Sequence, residues 1–193
     1  MQKILWMDVE TTGTDVTDDA LLEVAGVLTC YQSPEECEVS PVVHRMIRHP
    51  QLSQVIGLCT PHVQQMHGVS GLLHDLTYGP TVSTADADAA FCDLLDAHGL
   101  TEEVVLGGNS VMLDREFIRE HLPRTYRRLS HRSVDMTSAA LLLSQTSSIL
   151  PFTRPCHIHR AVPDVVESVC EYMHYQRELA NLSEAASLLP AHR

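Results

Sequence analysis

The chain begins with a short apolar segment, residues 3–9 (KILWMDV), which carries Asp8 and is followed at once by Glu10. An apolar run of this length is typical of a buried strand. Because residues i and i+2 of a strand face the same side, Asp8 and Glu10 should project together. Two adjacent carboxylates in apolar surroundings repel each other unless a cation, a proton or water stabilises them. The pair predicts a Mg²⁺ or Mn²⁺ site, and a chance spacing of two acids is the alternative that this segment alone leaves open.

The order of the other segments predicts an α/β fold with a central mixed β-sheet flanked by helices. The predicted strands are 3–9, 20–30, 42–49, 103–108 and 131–135. The predicted helices are 60–67, 85–97, 113–122, 136–145 and 161–179, and the longer loops are 31–41 and 146–158. A length of 193 residues suits one domain, which we expect over residues 1–180 with a short C-terminal tail at 181–193.

Charge and cysteine content restrict the partners and the compartment. A formal charge of −12 argues against a grip on long nucleic acid through many Lys and Arg contacts to phosphates, but it allows a small nucleotide held by a metal. Six scattered cysteines without a CxxC pair favour reduced thiols and a cytoplasmic location, with a Cys30–Cys37 disulfide as the alternative. No segment approaches the roughly 20 apolar residues of a membrane helix, so no membrane partner is predicted.

Two further acids and one histidine are candidates for the same site. Asp114 begins a predicted helix after a Gly-rich turn, where the alternative is an acid favoured by the helix dipole. Asp164 follows Pro163, a residue suited to a first helical turn, and His159 lies in the lead-in. On a regular helix a spacing of five would separate His159 from Asp164, so a turn at the helix start is needed to bring both over one site. Histidine is the usual general base near neutral pH. A zinc site at His157 and His159 is disfavoured, because no Cys or third His stands at zinc-like spacing.

Taken together, these segments resemble the three motifs of the DEDDh 3′→5′ exonuclease superfamily. WMDVETTG contains the D-x-E motif, GNSVMLDREF contains the single aspartate, and HRAVPD contains H-x₄-D, in that order along the chain. The surrounding segments MHGVSGL at 66–72 and RSVDMTS at 132–138 are most similar to the oligoribonuclease family. The resemblance extends from about residue 3 to about residue 178.

The resemblance implies a ribonuclease H-like exonuclease fold and a metal-dependent 3′→5′ exoribonuclease that hydrolyses short oligoribonucleotides to 5′-mononucleotides. It implies two divalent ions, Mg²⁺ or Mn²⁺, held by Asp8, Glu10, Asp114 and Asp164, with His159 deprotonating the attacking water. It also implies a cytoplasmic homodimer. A DEDDh exonuclease of broader specificity, acting on longer RNA or single-stranded DNA in proofreading or end trimming, is the alternative. A nuclease-like binding module without catalysis is a third hypothesis, which the complete motif set opposes.

Residues implied in substrate binding are Ser110, Arg132, Thr137, Thr14 and His67. Of these, Ser110, Arg132 and Thr137 match a cap on the substrate's 5′ phosphate, which an arginine can hold bidentately. The alternatives are helix capping for the two hydroxyls and a surface ion pair for Arg132.

Four positions depart from the family pattern. Thr14 replaces a leucine that wedges between bases, His62 replaces an aromatic residue, His131 replaces a tyrosine, and Pro163 replaces an acid. Because base stacking uses flat aromatic faces, these changes bear on substrate length more than on the reaction itself.

Overall fold

The computed structural model describes residues 2–31, 37–145, 149–155 and 158–187. In this part of the chain a six-stranded sheet has the order β3-β2-β1-β5-β6, with β4 paired to β2 beside β3. The strands are β1 (Gln2–Thr11), β2 (Leu21–Tyr31), β3 (Cys37–Val39), β4 (Val43–Met46), β5 (Val104–Gly108) and β6 (Leu129–Asp135). β2 is antiparallel to β1, β3 and β4, whereas β5 is parallel to β1 and to β6. The predicted mixed sheet is therefore confirmed.

The helices of the described residues flank this sheet. They are α1 (Leu52–Ile56), α2 (Pro61–Val69), α3 (Leu72–Tyr78), α4 (Thr84–Ala97), α5 (Met112–His121), α6 (Pro123–Tyr126), α7 (Met136–Leu143) and α8 (Ala161–Ser187). α4, α5, α7 and the start of α8 match predicted helices closely. The short helices α1, α3 and α6 were not predicted from the sequence, because helices of four to seven residues are too short for a clear apolar period.

Three predicted boundaries differ from the structure. The strand predicted at 42–49 is limited to β4, and β3 lies inside the segment predicted as a loop because it pairs with the edge of β2. α8 continues to Ser187, past its predicted end at 179 and across the predicted start of the tail at 181. Leu182 packs against the same core as Tyr175, which explains the extension. Parts of the two predicted loops and of the tail (32–36, 146–148, 156–157 and 188–193) lie outside the described residues.

Strand β1 is buried on both faces. Its side chains point alternately to the two faces of the sheet, so neighbouring residues pack into different cores. Leu5 and Met7 join a core that includes Phe91 of α4 and Phe117 of α5. Ile4 and Trp6 join a second core formed largely with α8. Because side chains alternate along a strand, Asp8 and Glu10 share the α8 face with Ile4 and Trp6. The sheet therefore directs the first acidic pair toward α8.

Two expectations about the environment of the chain can be compared with the structure. The thiols of Cys30 and Cys37 are both free, so the disulfide alternative is wrong. Within the described ranges, no helix is both long enough and apolar enough to cross a bilayer.

Candidate active site

Three carboxylates from two elements meet at the carboxyl end of β1. Asp8 and Glu10 come from β1, and Asp164 comes from the first turn of α8. Each offers an oxygen, and these oxygens lie within 4.8 Å of one another. The prediction that Asp8 and Glu10 project together is confirmed. The packing of α8 on the Trp6 face of the sheet adds Asp164 to the pair.

Asp114 adjoins this group from the opposite layer. It lies in the first turn of α5 and is buried, and its Oδ1 accepts the backbone N–H of Val9 at 3.0 Å. A helix dipole favours an acid at this position. The bond to Val9, however, also ties the carboxylate to β1 between the two acids of the first motif. The helix-dipole interpretation alone therefore does not account for its place.

The electrostatics of the cluster favour either protons or a cation. Burial first, and then the neighbouring carboxylates of Asp114, Glu10 and Asp164, raise the pKa of Asp8 well above its usual value. Burial first, and then the carboxylates of Asp164, Glu23 and Asp114, raise the pKa of Glu10 to about 8, against a smaller opposing effect of Arg160. Burial raises the pKa of Asp114 to about 7, although the Val9 N–H opposes the rise. Clustered oxygen donors of like charge are the ligand set that Mg²⁺ and Mn²⁺ prefer, so these residues fit a divalent cation.

His159 stands at the sharp turn that precedes α8. Its φ of +49° lies in the left-handed region, which non-glycine residues rarely adopt. The chain therefore departs from regular helix at His159, and the placement of His159 with Asp164 over one site stays a prediction. His159 is exposed and lines a cavity of about 360 Å³ together with His62, Met66 and Val69. His157, the other member of the HxH pair, lies outside the described residues.

His67 of α2 lies behind the acids rather than on the open surface. Its side chain is fully buried, and its Nε2 is 2.8 Å from the carbonyl oxygen of Thr11, which can only accept a hydrogen bond. Its Nδ1 lies 3.8 Å from Glu10 Oε2 and makes no hydrogen bond within the described part of the chain. Burial lowers the pKa of His67. Substrate binding by His67 stays a prediction, whereas its contact with the turn after β1 is a structural fact.

Ser110 and Thr137 lie together at the end of the sheet. The backbone N–H of Ser110 donates to Thr137 Oγ1 at 3.1 Å, and the two hydroxyl oxygens are 3.2 Å apart. The N-cap residue of α5 is Val111, which has no capping side chain, and the cap of α7 is the Asp135 carboxylate. The helix-capping alternative for Ser110 and Thr137 is therefore wrong.

Arg132 and Thr14 are both exposed, as a substrate contact would require. Arg132 lies on β6, where its carbonyl oxygen accepts a hydrogen bond from Arg115 Nη2 at 3.0 Å. Its guanidinium forms no ion pair with the residues that the structure describes, which removes the ion-pair alternative. Thr14 lies in the turn between β1 and β2. The role of both side chains in substrate binding stays a prediction.

Two charged residues beside the site, Glu23 and Arg160, were missed by the sequence analysis. Glu23 of β2 is the cross-strand partner of Glu10, is 1% exposed, and receives three guanidinium contacts of 2.8–3.2 Å from Arg160. A single glutamate in the apolar run ALLEVAGVLTC was the available signal, because a buried charge requires a partner. The identity of that partner, 137 residues further along the chain, had no local signal.

Comparison with known proteins places these features in context. No protein-family model matches the chain. The oligoribonuclease of Corynebacterium efficiens is 33% identical over 179 residues, which cover 91% of this chain and 78% of the relative. The oligoribonuclease of Tropheryma whipplei is 33% identical over 176 residues, covering 90% and 91%.

Solved structures of exonuclease I share the fold. Escherichia coli exonuclease I, in complex with a 5cy-dA13 oligonucleotide, aligns with a TM-score of 0.66 at 15% identity, covering 96% of this chain and 42% of that one. Exonuclease I of Methylocaldum szegediense aligns with a TM-score of 0.64 at 16% identity, covering 92% and 41%. This chain thus spans about two fifths of the length of these exonuclease I chains.

Proposed function

Since the chain belongs to the oligoribonuclease family and is a 3′→5′ exoribonuclease, we propose that it removes 5′-mononucleotides from short single-stranded RNA by a two-metal mechanism. The observation that carries the proposal is the meeting of the Asp8, Glu10 and Asp164 carboxylates within 4.8 Å. His159, at the left-handed turn that leads into Asp164, is the proposed base. The buried carboxylate of Asp114 completes the acid set from the α5 side.

The residues divide the chemistry among them. Asp8, Glu10, Asp114 and Asp164 would hold two Mg²⁺ or Mn²⁺ ions, which offset the charge of the scissile phosphate and of the leaving 3′ oxygen. A ring nitrogen of His159 takes the proton from the attacking water oxygen, and the exposure of His159 gives solvent access to that nitrogen. The four carboxylates are buried or half-buried, so the acid cluster is held by packing before substrate arrives.

The residues around the cluster support selection of short substrates. The paired hydroxyls of Ser110 and Thr137, together with the exposed guanidinium of Arg132, form the proposed cap on a 5′ phosphate. His62 lines the cavity next to His159, and we assign that cavity to the 3′ nucleobase. Exposed Thr14 is the proposed contact to the bases, and His67 supports the turn that leads to it through its bond to the Thr11 carbonyl oxygen.

The setting of the enzyme is also a proposal. Exposed Leu141 and Leu142 on α7 support an apolar contact between two copies, and twofold dimers are the commonest oligomers. The free thiols at five described positions support a reducing compartment such as the cytoplasm.

The test is hydrolysis of a 5′-labelled RNA ladder of two to about twenty nucleotides, beside matched DNA, with Mn²⁺, Mg²⁺ or EDTA. Metal-dependent loss that is fastest for the two-nucleotide RNA is the expected result, because the phosphate cap favours a substrate whose 5′ end lies one step from the scissile bond. Equal or faster loss of long RNA or DNA would favour the broader exonuclease. Hydrolysis that persists in EDTA would contradict the role of the acids.

A further inference from the structure

Glu23 is the centre of a buried polar network that is separate from the group formed by Asp8, Glu10 and Asp164. Its Oε1 accepts from His44 Nε2 at 2.7 Å and from Arg160 Nη2 at 2.8 Å. Its Oε2 accepts from the backbone N–H of Ala161 at 3.0 Å and from Arg160 Nε at 3.1 Å. Burial alone would raise the pKa of Glu23, but these donors lower it to about 2. Glu23 is therefore a permanent anion with both oxygens engaged.

Two of the three residues that bind Glu23, Arg160 and Ala161, follow His159 directly in sequence. The far side of the guanidinium is also fixed, because Arg160 Nη1 donates to Asp75 Oδ2 at 2.9 Å and to the carbonyl oxygen of Ser70 at 3.4 Å. The Glu23 carboxylate thus ties the start of α8 to β2. Arg160 ties the same point to Ser70, after α2, and to Asp75 of α3.

The backbone at His159 explains why such a tether is required. A non-glycine residue in the left-handed region is strained and persists only where the surrounding structure over-determines it. The bonds from Arg160 Nη2 and from the Ala161 N–H to Glu23 hold the backbone directly after this turn.

We propose that Glu23 and Arg160 form a positioning clamp that holds His159 in its left-handed turn before α8. The inference rests on the proposed role of His159 as the base. The clamp touches neither the scissile phosphate nor the attacking water, and it acts through the backbone geometry of its neighbour. Loosening it should lower the rate of proton transfer with little effect on substrate affinity.

The backbone N–H of Asp164 donates to the Arg160 carbonyl oxygen at 3.2 Å, but Asp164 also has a second support that does not involve the clamp, which allows the two effects to be distinguished. Ser168 Oγ donates to the Asp164 carbonyl oxygen at 2.9 Å, and Asn109 Nδ2 donates to Ser168 Oγ at 2.7 Å. These bonds lie within α8 and between α8 and the end of β5, away from Glu23. Metal affinity should therefore survive when the clamp is loosened.

The test is a double-mutant cycle on dinucleotide RNA at saturating Mn²⁺, with wild type, E23Q, H159A and E23Q/H159A. We expect E23Q to lower kcat by about tenfold or more, with KM and the Mn²⁺ dissociation constant changed less than about twofold. In the H159A background, E23Q should lower kcat less than about twofold further, because the group that the clamp positions is already absent. R160K, which keeps the charge but loses the planar fork, should show the same non-additivity and decides the question if E23Q does not fold.

Asp88 offers a matched control for lost stability. It is buried, and its carboxylate accepts the backbone N–H groups of Arg124 and Thr125 at 2.9 and 2.7 Å, at the start of α6. D88N should weaken the fold without changing kcat. The clamp would be overturned if D88N lowered kcat as much as E23Q does. It would also be overturned if E23Q lowered kcat by the same factor in the wild-type and H159A backgrounds. Either result would leave the assignment of His159 as the base in place. Full turnover in H159A would overturn the base assignment itself, and the clamp with it.

Discussion

Replacing Glu10 with glutamine should stabilise the metal-free protein while abolishing its activity. Glu10 is 7% exposed, and burial and neighbouring carboxylates raise its pKa to about 8. The unfolded chain ionises this group near 4.5, so between pH 4.5 and about 8 the folded state binds more protons than the unfolded state. Stability therefore falls as pH rises through that window. Glutamine has nearly the same shape and carries no such penalty.

The size of the effect follows from the pKa difference. At about 1.4 kcal/mol per pKa unit, the raised pKa of Glu10 reduces the free energy of unfolding by up to about 3 kcal/mol at pH 7, because the unfolded chain ionises this group while the folded chain keeps the proton. Neighbouring acids share protons, so we expect about 1–3 kcal/mol for the variant. For a chain of this length, this corresponds to a rise in Tm of about 3–10 °C. The gain should be greatest above pH 8 and vanish below pH 4.5, where both states hold the proton.

Thermal or urea unfolding in EDTA at pH 5, 7 and 8 measures the prediction, with Mn²⁺ added in a second series. Added Mn²⁺ should stabilise wild type more than E10Q and close the gap, because ligand binding adds RT ln(1 + [L]/Kd). The cross-strand neighbour is the control of opposite sign. The pKa of Glu23 is lowered to about 2, so it contributes stability above pH 4.5 that is lost as pH falls through its folded pKa. E23Q should therefore destabilise by about 3 kcal/mol at pH 7. An E10Q variant no more stable than wild type in EDTA at pH 8 would refute the reasoning.

Two further substitutions test other parts of the site, and a third tests the packing of β2 against β1. R132A should raise KM for a 5′-phosphorylated dinucleotide by about tenfold or more and leave a long RNA little changed, because a charged contact to phosphate is worth about 1.5–3 kcal/mol. Equal losses on both substrates would contradict the phosphate cap. H62W should lower KM for the dinucleotide by about fivefold or more in steady-state assays, because base–aromatic stacking contributes about 1–3 kcal/mol; an unchanged KM would place the nucleobase outside the His62 cavity. G26A should destabilise by about 1–3 kcal/mol in urea unfolding, because a Cβ there would lie 2.8 Å from the Trp6 carbonyl oxygen. Unfolding at the wild-type urea concentration would show that β1 and β2 can separate at this point.

The main fold elements could be predicted because their patterns are local. The apolar run of β1 and the Thr-Pro start of α2 each report on a few adjacent residues, and both were placed correctly. Short elements failed for the same reason, since α3 follows a left-handed Gly71 and α6 begins at Pro123 without enough turns for an apolar stripe. The strand β3 depends on pairing with β2, so its existence is a property of the sheet rather than of its own three residues.

By itself, the sequence determined the parity that puts Asp8 and Glu10 on one face, the order of the three motifs, and hence the family and the reaction class. Only the tertiary structure decided that Glu10 belongs to the acid cluster and that Glu23 belongs to an ion pair with Arg160. Glu10 and Glu23 are cross-strand neighbours of the same residue type. Arg160, directly before α8, neutralises Glu23 and leaves Glu10 without a full counter-charge. Strand periodicity is encoded within a few residues, whereas the different roles of Glu10 and Glu23 depend on the packing of Arg160 against Glu23. Charges so distant in sequence acquire their pKa values only when folding removes water and brings them together.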